Sequence, residues 1–218
     1  MEVVSVVRFF GAPGDDAAPR PLRRALADDV NLSIALLQRT AENKFYRLVE
    51  PDERFGGDNE LFAGFPRTRE ELFGYSGIIL GSVEAGFFTA DQLRMMADFV
   101  SQRGGGLLAL GGRRSFAAGG YAGTPVEEVL PVVLPSTPAQ DAEGRTVEFT
   151  ELQVEPTLFG RSHPAVQLAD DPQQSLARWR QLPPLTTTNP ISRTKPGAAT
   201  LLEGRSARLR DPQVVLAY

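Results

Sequence analysis

The run from residue 76 to residue 110 constrains this chain more than any other stretch. It reads SGIILG, then a helix-forming segment, then GLLAL, so two apolar strands are joined by a crossover. A nearly continuous apolar run such as 76–81 belongs to a strand covered on both faces, the usual setting of a parallel sheet. Between the strands, Thr89 followed three residues later by Gln92 spells a capping box. Leu93, Met96, Ala97 and Val100 then recur at helical spacing, and Gly104-Gly105-Gly106 stops the helix. Parallel neighbours need a connection of about this length. The pattern therefore predicts that the strands at 76–81 and 107–110 lie parallel and adjacent, joined by a right-handed crossover.

The flanking sequence extends the pattern. Residues 3–10 (VVSVVRFF) form a β-rich run, GAPGDDAAP a turn, and Leu22, Ala25 and Leu26 mark one face of a helix. Residues 31–37 read as a second strand. Residues 38–71 read as a polar excursion, with PDERFGGDN a surface loop and TREEL a short helix. Strands alternating with helices predict the α/β class with a doubly wound, mostly parallel, flavodoxin-like sheet. Beyond Leu130 the chain becomes proline-rich and polar, TVEFTELQV alternates like a half-exposed strand, and a helix at 173–181 carries Trp179. DPQVVLAY reads as a buried strand with no polar tail after it, so a domain excised from a longer polypeptide is expected. The expected organisation is one domain over 1–218: a core at 1–132, a peripheral insert at 133–185 and returning strands with extra β elements at 186–218.

Composition removes several classes of function. Twenty-three basic residues against 27 acidic ones give a net charge of −4, which offers no broad attraction for nucleic acid or an anionic membrane. With no Cys, disulfides, thiolate metal sites and thiol catalysis are all closed, and a single His makes a zinc site unexpected. No apolar run approaches the roughly 18 residues of a membrane span, and no basic-then-apolar leader stands at Met1, so direct membrane insertion by this segment is not expected. Neither a P-loop nor a G-x-G-x-x-G pattern occurs, and no cofactor is expected. The sequon Asn31-Leu32-Ser33 falls inside a predicted strand and reads as chance.

In an open α/β sheet, ligands bind beyond the C-terminal ends of the strands, which directs attention to the loops after Phe10, Gly81 and Leu110. After Leu110 come Gly111 and Gly112, whose backbone can turn sharply, and then Arg113 and Arg114. Free N–H groups beside a guanidinium suit a carboxylate or phosphate, so Gly111, Gly112 and Arg113 form the candidate anion site. The plainer reading is a tight turn followed by surface arginines. Asp15, Asp16 and Glu84 could gather carboxylates around a hard cation, but a receiver-type site would want an Asp where Gly81 and Ser82 stand, and GAPGDDAAP reads first as a solvated turn. Ser115 or Ser82 could serve as a nucleophile with His163 as base. A lone His followed by Pro164 reads first as a structural hydrogen-bonding group, and no metal or catalytic residue is assigned.

Across 76–121 the chain resembles the core of the class I glutamine amidotransferase-like superfamily. In that family the turn after the equivalent of SGIIL supplies oxyanion donors, which the resemblance transfers to Ser82 and Val83. Its G-x-C-x-G nucleophile elbow corresponds here to Leu110-Gly111-Gly112-Arg113-Arg114. The Cys is missing, and the His and Glu two residues apart near the family's C-terminus have no counterpart, since Pro164 and Ala165 follow His163. Without the nucleophile the covalent pathway is lost.

The likeness extends to the glutamine amidotransferase-like domain of large membrane-anchored bacterial polypeptides, often found beside von Willebrand factor A-like domains. It is carried by LRRALADDVNLSIALLQRT at 22–40, GFPRTREELFGYSGIILG at 64–81, RGGGLLALGGRRSFAAGGYAGTPVEEVLPV at 103–132, SHP at 162–164, WRQLPPL at 179–185 and KPGAATLL at 195–202. The resemblance implies a non-catalytic ligand-sensing or protein-interaction module of a membrane-associated protein. Its partners would be other domains of the same polypeptide or another protein, with a small anion as possible ligand. The alternative class is an active enzyme, either a Ser-dependent hydrolase or an amidotransferase completed by another chain.

Overall fold

The computed structural model describes residues 5–11, 32–41, 44–49, 57–136, 151–186, 188–207 and 209–218. Contacts divide the chain into two units, Met1–Val129 and Leu130–Tyr218. Both combine helices with small open sheets, one of them largely parallel.

In the first unit the elements are β1 (Ser5–Gly11), β2 (Leu32–Ala41), β3 (Lys44–Val49), α1 (Arg69–Phe73), β4 (Gly77–Leu80), α2 (Ala90–Ser101), β5 (Gly106–Ala109) and α3 (Pro125–Val129). The strands form one sheet in the order β3-β2-β1-β4-β5. β1 pairs in parallel with both β2 and β4, and β4 in parallel with β5, so Leu36, Phe9, Ile79 and Leu108 stand in one row across the sheet. The adjacent parallel pair expected from residues 76–110 is therefore present. The chain leaves β1 for β2 on one side and reaches β4 on the other, so the strand order reverses between β1 and β4.

The apolar run of β4 does what its composition demands. With a strand on each side, Ile78, Ile79 and Leu80 are all buried. β5 lies at the edge, and its Leu108 remains partly exposed.

α2 begins at a complete capping box, in which the Thr89 hydroxyl accepts the Gln92 N–H while the Gln92 side chain accepts the Thr89 N–H. The Gln92 amide also donates to the carbonyls of Phe65 and Pro66, which ties the helix start to the preceding loop. Leu93, Met95, Met96, Ala97 and Phe99 are buried, and each of the four larger side chains contributes about 1.5–3 kcal/mol on leaving water. α2 packs against α1 and α3. Its exit needs glycine, because a Cβ at Gly105 would lie 2.2 Å from the Phe99 ring. α1 carries its own capping box from Thr68 and Glu71.

One expectation needs correction. Residues 38–71 are not uniformly a loop: β2 continues through Gln38 to Ala41, and β3 returns antiparallel to it. KFYRLV has the aromatic and β-branched character of a strand, but it stands at an edge where its side chains are mostly exposed. The expected helix around Leu22, Ala25 and Leu26, most of PDERFGGDN, and Asn31 of the sequon lie outside the described residues.

The second unit holds β6 (Val132–Val133), β7 (Gln153–Pro156), α4 (Pro172–Gln181), β8 (Arg193–Thr194), β9 (Thr200–Arg205) and β10 (Gln213–Ala217). β9 pairs antiparallel with β7 and β10, and β6 with β8. Of the expected strand at 146–154, Gln153 and Val154 enter β7, Leu152 makes only an isolated bridge to Leu185, and residues 146–150 lie outside the described residues. α4 starts at Asp171, whose carboxylate accepts the Gln174 N–H, with Pro172 in the first turn. Val154, Val166, Leu201 and Leu202 form the core, against which Trp179, Val215 and Leu216 pack. The Trp179 indole N–H donates to the Val166 carbonyl at 2.8 Å. The closing strand is half-buried rather than fully buried, and Tyr218 is exposed. Among the described residues, no helix is long and apolar enough to cross a membrane.

Candidate functional site

The turns that follow β4 and β5 meet at the C-terminal edge of the parallel sheet. The Leu110 N–H donates to the Leu80 carbonyl at 2.8 Å, which carries the β4–β5 ladder to the start of both turns. Beyond that point side chains take over. The Ser82 Oγ accepts the Arg114 N–H at 3.1 Å, and the Ser115 hydroxyl donates to the Gly81 carbonyl at 3.4 Å. The structure thus brings Ser82, Val83, Glu84, Arg114 and Ser115 into one cluster.

Within the cluster most donors already have acceptors. The Val83 N–H turns back to the Gly81 carbonyl at 2.8 Å, so it is not the free oxyanion donor that the family resemblance implies. The Ala85 N–H reaches the Gly119 carbonyl at 2.7 Å. Ser115 is only 3% exposed, buried beneath the turn rather than presented from it. The Ser115 N–H donates to the Gly112 carbonyl at 3.2 Å, closing the Gly112–Ser115 turn.

Two residues that the sequence did not single out hold the loop. Gly119 lies so close to the preceding chain that a Cβ there would stand 2.2 Å from the Arg114 carbonyl oxygen. The Tyr121 hydroxyl donates to the Val83 carbonyl at 2.9 Å. Burial, reinforced by the nearby Glu84 carboxylate, pushes the Tyr121 phenol well above its ordinary value, so it is a neutral donor at physiological pH. The glycine repeat of AAGGYAG signals such close turns, and the flanked Tyr has the composition of a buried anchor.

The two arginines stand on the outside, while the Glu84 Oε2 is shut off from solvent. Arg114 and Glu84 form an ion pair at 3.6 Å with both side chains partly solvated. Arg113 is exposed beside Gly111 and Gly112 and enters no ion pair among the described residues. A guanidinium in this setting can hold an anion, since it stays charged at any physiological pH.

His163 belongs to the second unit. Its Nδ1 accepts the Ala165 N–H at 3.2 Å, capping a short 3-10 turn, and its ring lies against Tyr218 with centroids 5.0 Å apart. With Nδ1 engaged as an acceptor, a neutral ring carries its proton on Nε2 and has no second basic nitrogen to offer a hydroxyl. Asp15 and Asp16 lie outside the described residues; among the described ones no three His, Cys, Asp or Glu residues are grouped to hold a metal ion.

Comparisons with known proteins return no matching family model, no matching curated protein and no matching solved structure.

Proposed function

We propose that this chain is a doubly wound, flavodoxin-like domain of the glutamine amidotransferase-like kind that binds rather than catalyses, serving as a ligand-sensing or interaction module of a larger membrane-anchored polypeptide. The observation that carries this reading is the mutual closure of the two strand-end turns. A nucleophile elbow holds its side chain outward at the sheet edge, within reach of a base. Here Ser115 points its hydroxyl inward to the Gly81 carbonyl, and the Ser82 oxygen is an acceptor for the Arg114 N–H. Among the described residues neither hydroxyl is paired with a base, and no Cys exists to take their place. The parallel order β2-β1-β4-β5, reversing between β1 and β4, supports the finer fold assignment.

The ligand this module suits best is a small anion at Arg113, beside the Gly111-Gly112 turn. Titration calorimetry with phosphate, sulfate and small dicarboxylates tests it: binding should weaken on Arg113→Ala and as salt rises. In parallel, the protein should release no ammonia from glutamine above background. Turnover that vanishes on Ser115→Ala would overturn the non-catalytic reading, and binding indifferent to Arg113→Ala would overturn the anion site.

A further inference from the structure

We infer that Arg114 is the second cation of the anion site, that the Glu84 carboxylate is its built-in competitor, and that the ligand able to displace Glu84 is a phosphate- or sulfate-type dianion rather than a monocarboxylate. This rests on the anion site proposed at the Gly111-Gly112 turn and gives that site a ligand class and a regulator.

Both partners of the Glu84–Arg114 pair are fixed through the backbone. The Arg114 N–H is held by the Ser82 Oγ at 3.1 Å. Glu84 stands between two tethered neighbours, since the Val83 carbonyl accepts the Tyr121 hydroxyl at 2.9 Å and the Ala85 N–H donates to the Gly119 carbonyl at 2.7 Å. The Glu84 carbonyl itself accepts the Phe87 N–H at 3.0 Å. The loop therefore holds a carboxylate against a guanidinium at the strand ends, where a ligand anion would otherwise sit. The contact is loose. At 3.6 Å from Arg114 Nη1 to Glu84 Oε2 it is longer than a hydrogen bond, and the Arg114 side chain is half exposed. Pairs of this kind are weak, so an incoming anion can replace the carboxylate without breaking the backbone brace beneath it.

The rest of the turn is ready for such an anion. Arg113 and Arg114 are consecutive and both exposed, and among the described residues the N–H groups of Gly111 and Arg113 meet no acceptor. Consecutive Cα atoms lie about 3.8 Å apart, so one ion at the turn is within reach of both long side chains. Glu84 decides which ligand profits from them. A monocarboxylate would exchange one carboxylate for another and lose to Glu84, which is tethered and so present at high effective concentration. A dianion brings a second charge that Glu84 cannot match, and its several oxygens can meet both guanidiniums and the two N–H groups together.

Titration calorimetry of the 218-residue chain at low ionic strength tests this, with sulfate as the dianion and acetate as the monocarboxylate. Sulfate should bind the wild-type chain, and acetate should not displace it. Glu84→Gln should tighten sulfate binding by about two- to fivefold, the scale of releasing one exposed ion pair. In an Arg114→Gln background the same change should give no gain, because the competitor then has nothing to block. A gain that persists there means that Glu84 acts only through its charge and overturns the inference. A Glu84→Gln chain that binds sulfate no tighter than wild type overturns it too, as does acetate binding the wild type as tightly as sulfate. If Glu84→Gln does not fold, Glu84→Asp replaces it: the shorter side chain keeps the charge but draws back from Arg114, so tighter sulfate binding supports the competitor and unchanged binding refutes it. Sulfate binding that weakens on Arg113→Ala but ignores Glu84→Gln leaves the anion site standing without its competitor. Binding that ignores Arg113→Ala, or that none of these chains shows, removes the anion site itself and this inference with it.

Discussion

The Ser82 hydroxyl oxygen accepts the backbone N–H of Arg114 at 3.1 Å, a bond that spans 32 residues of sequence and ties the turn after β4 to the turn after β5. In an enzyme that forms a tetrahedral intermediate at such a strand end, two turns would leave a gap with a donor on each side. Here one turn's side chain satisfies the other turn's backbone. The cluster is thereby a brace for the end of the sheet, and its outward chemistry is left to the exposed arginines.

If that brace is structural, Ser82→Ala should lower stability by about 1 kcal/mol, the net worth of an ordinary hydrogen bond where water can partly replace the lost partner. Ser115→Ala should cost less despite deeper burial, because its bond to the Gly81 carbonyl is long, at 3.4 Å, and long bonds are weak. Urea unfolding midpoints of the two variants decide this. A larger loss for Ser115→Ala would mean that the buried hydroxyl, not Ser82, carries the connection.

How much of this was legible in the sequence depends on how local the signal is. The capping box of Thr89 and Gln92, the stop at Gly104-Gly105-Gly106 and the apolar run at 76–81 each act within a few residues, and each appears in the structure where the sequence places it. β3 was hidden because Gln38, Arg39 and Thr40 break the apolar run of β2, and because an edge strand needs no buried face to be formed. The site was legible only as a neighbourhood. Glycines after Leu110 indicate a turn, but that Ser115 faces inward and Val83 turns back on Gly81 follows from contacts with Gly119 and Tyr121, which no spacing rule supplies.

Glycine 119 offers a sharper test of the same loop. An added methyl group would meet the Arg114 carbonyl oxygen at 2.2 Å and its carbon at 2.7 Å, backbone atoms that move only if the turn opens. Gly119→Ala should therefore destabilise by about 2 kcal/mol or more, the scale of overpacking a site that cannot relax. Gly86, with nothing within 4 Å of its would-be Cβ, is the matched control, and Gly86→Ala should stay within about 0.5 kcal/mol of wild type. Thermal or urea unfolding of the pair measures both, and equal tolerance would mean that the 111–124 loop is far more yielding than its hydrogen bonds imply.

Tyr121 converts the buried core of this loop into a pH dependence with a fixed sign. Its phenol is held above the ordinary value, first by burial and second by the Glu84 carboxylate, while in the unfolded chain it titrates near about 10. Below about pH 10 the phenol is neutral in both states and the folded protein keeps the full benefit of its bond to the Val83 carbonyl. As pH rises further, the unfolded chain releases this proton before the folded one can. The unfolded state then binds fewer protons, and stability must fall by up to about 1.4 kcal/mol per pH unit until the folded phenol also ionises. Tyr121→Phe should lose about 1 kcal/mol at neutral pH with the hydrogen bond, yet show a shallower decline on the alkaline side. Glu84→Gln should leave the decline over this range nearly unchanged, since burial, the larger cause, still holds the folded phenol above it. Urea unfolding of the three proteins between about pH 8 and 11 provides the comparison. Parallel alkaline slopes for wild type and Tyr121→Phe would show that this phenol is not the buried neutral donor behind the Val83 turn.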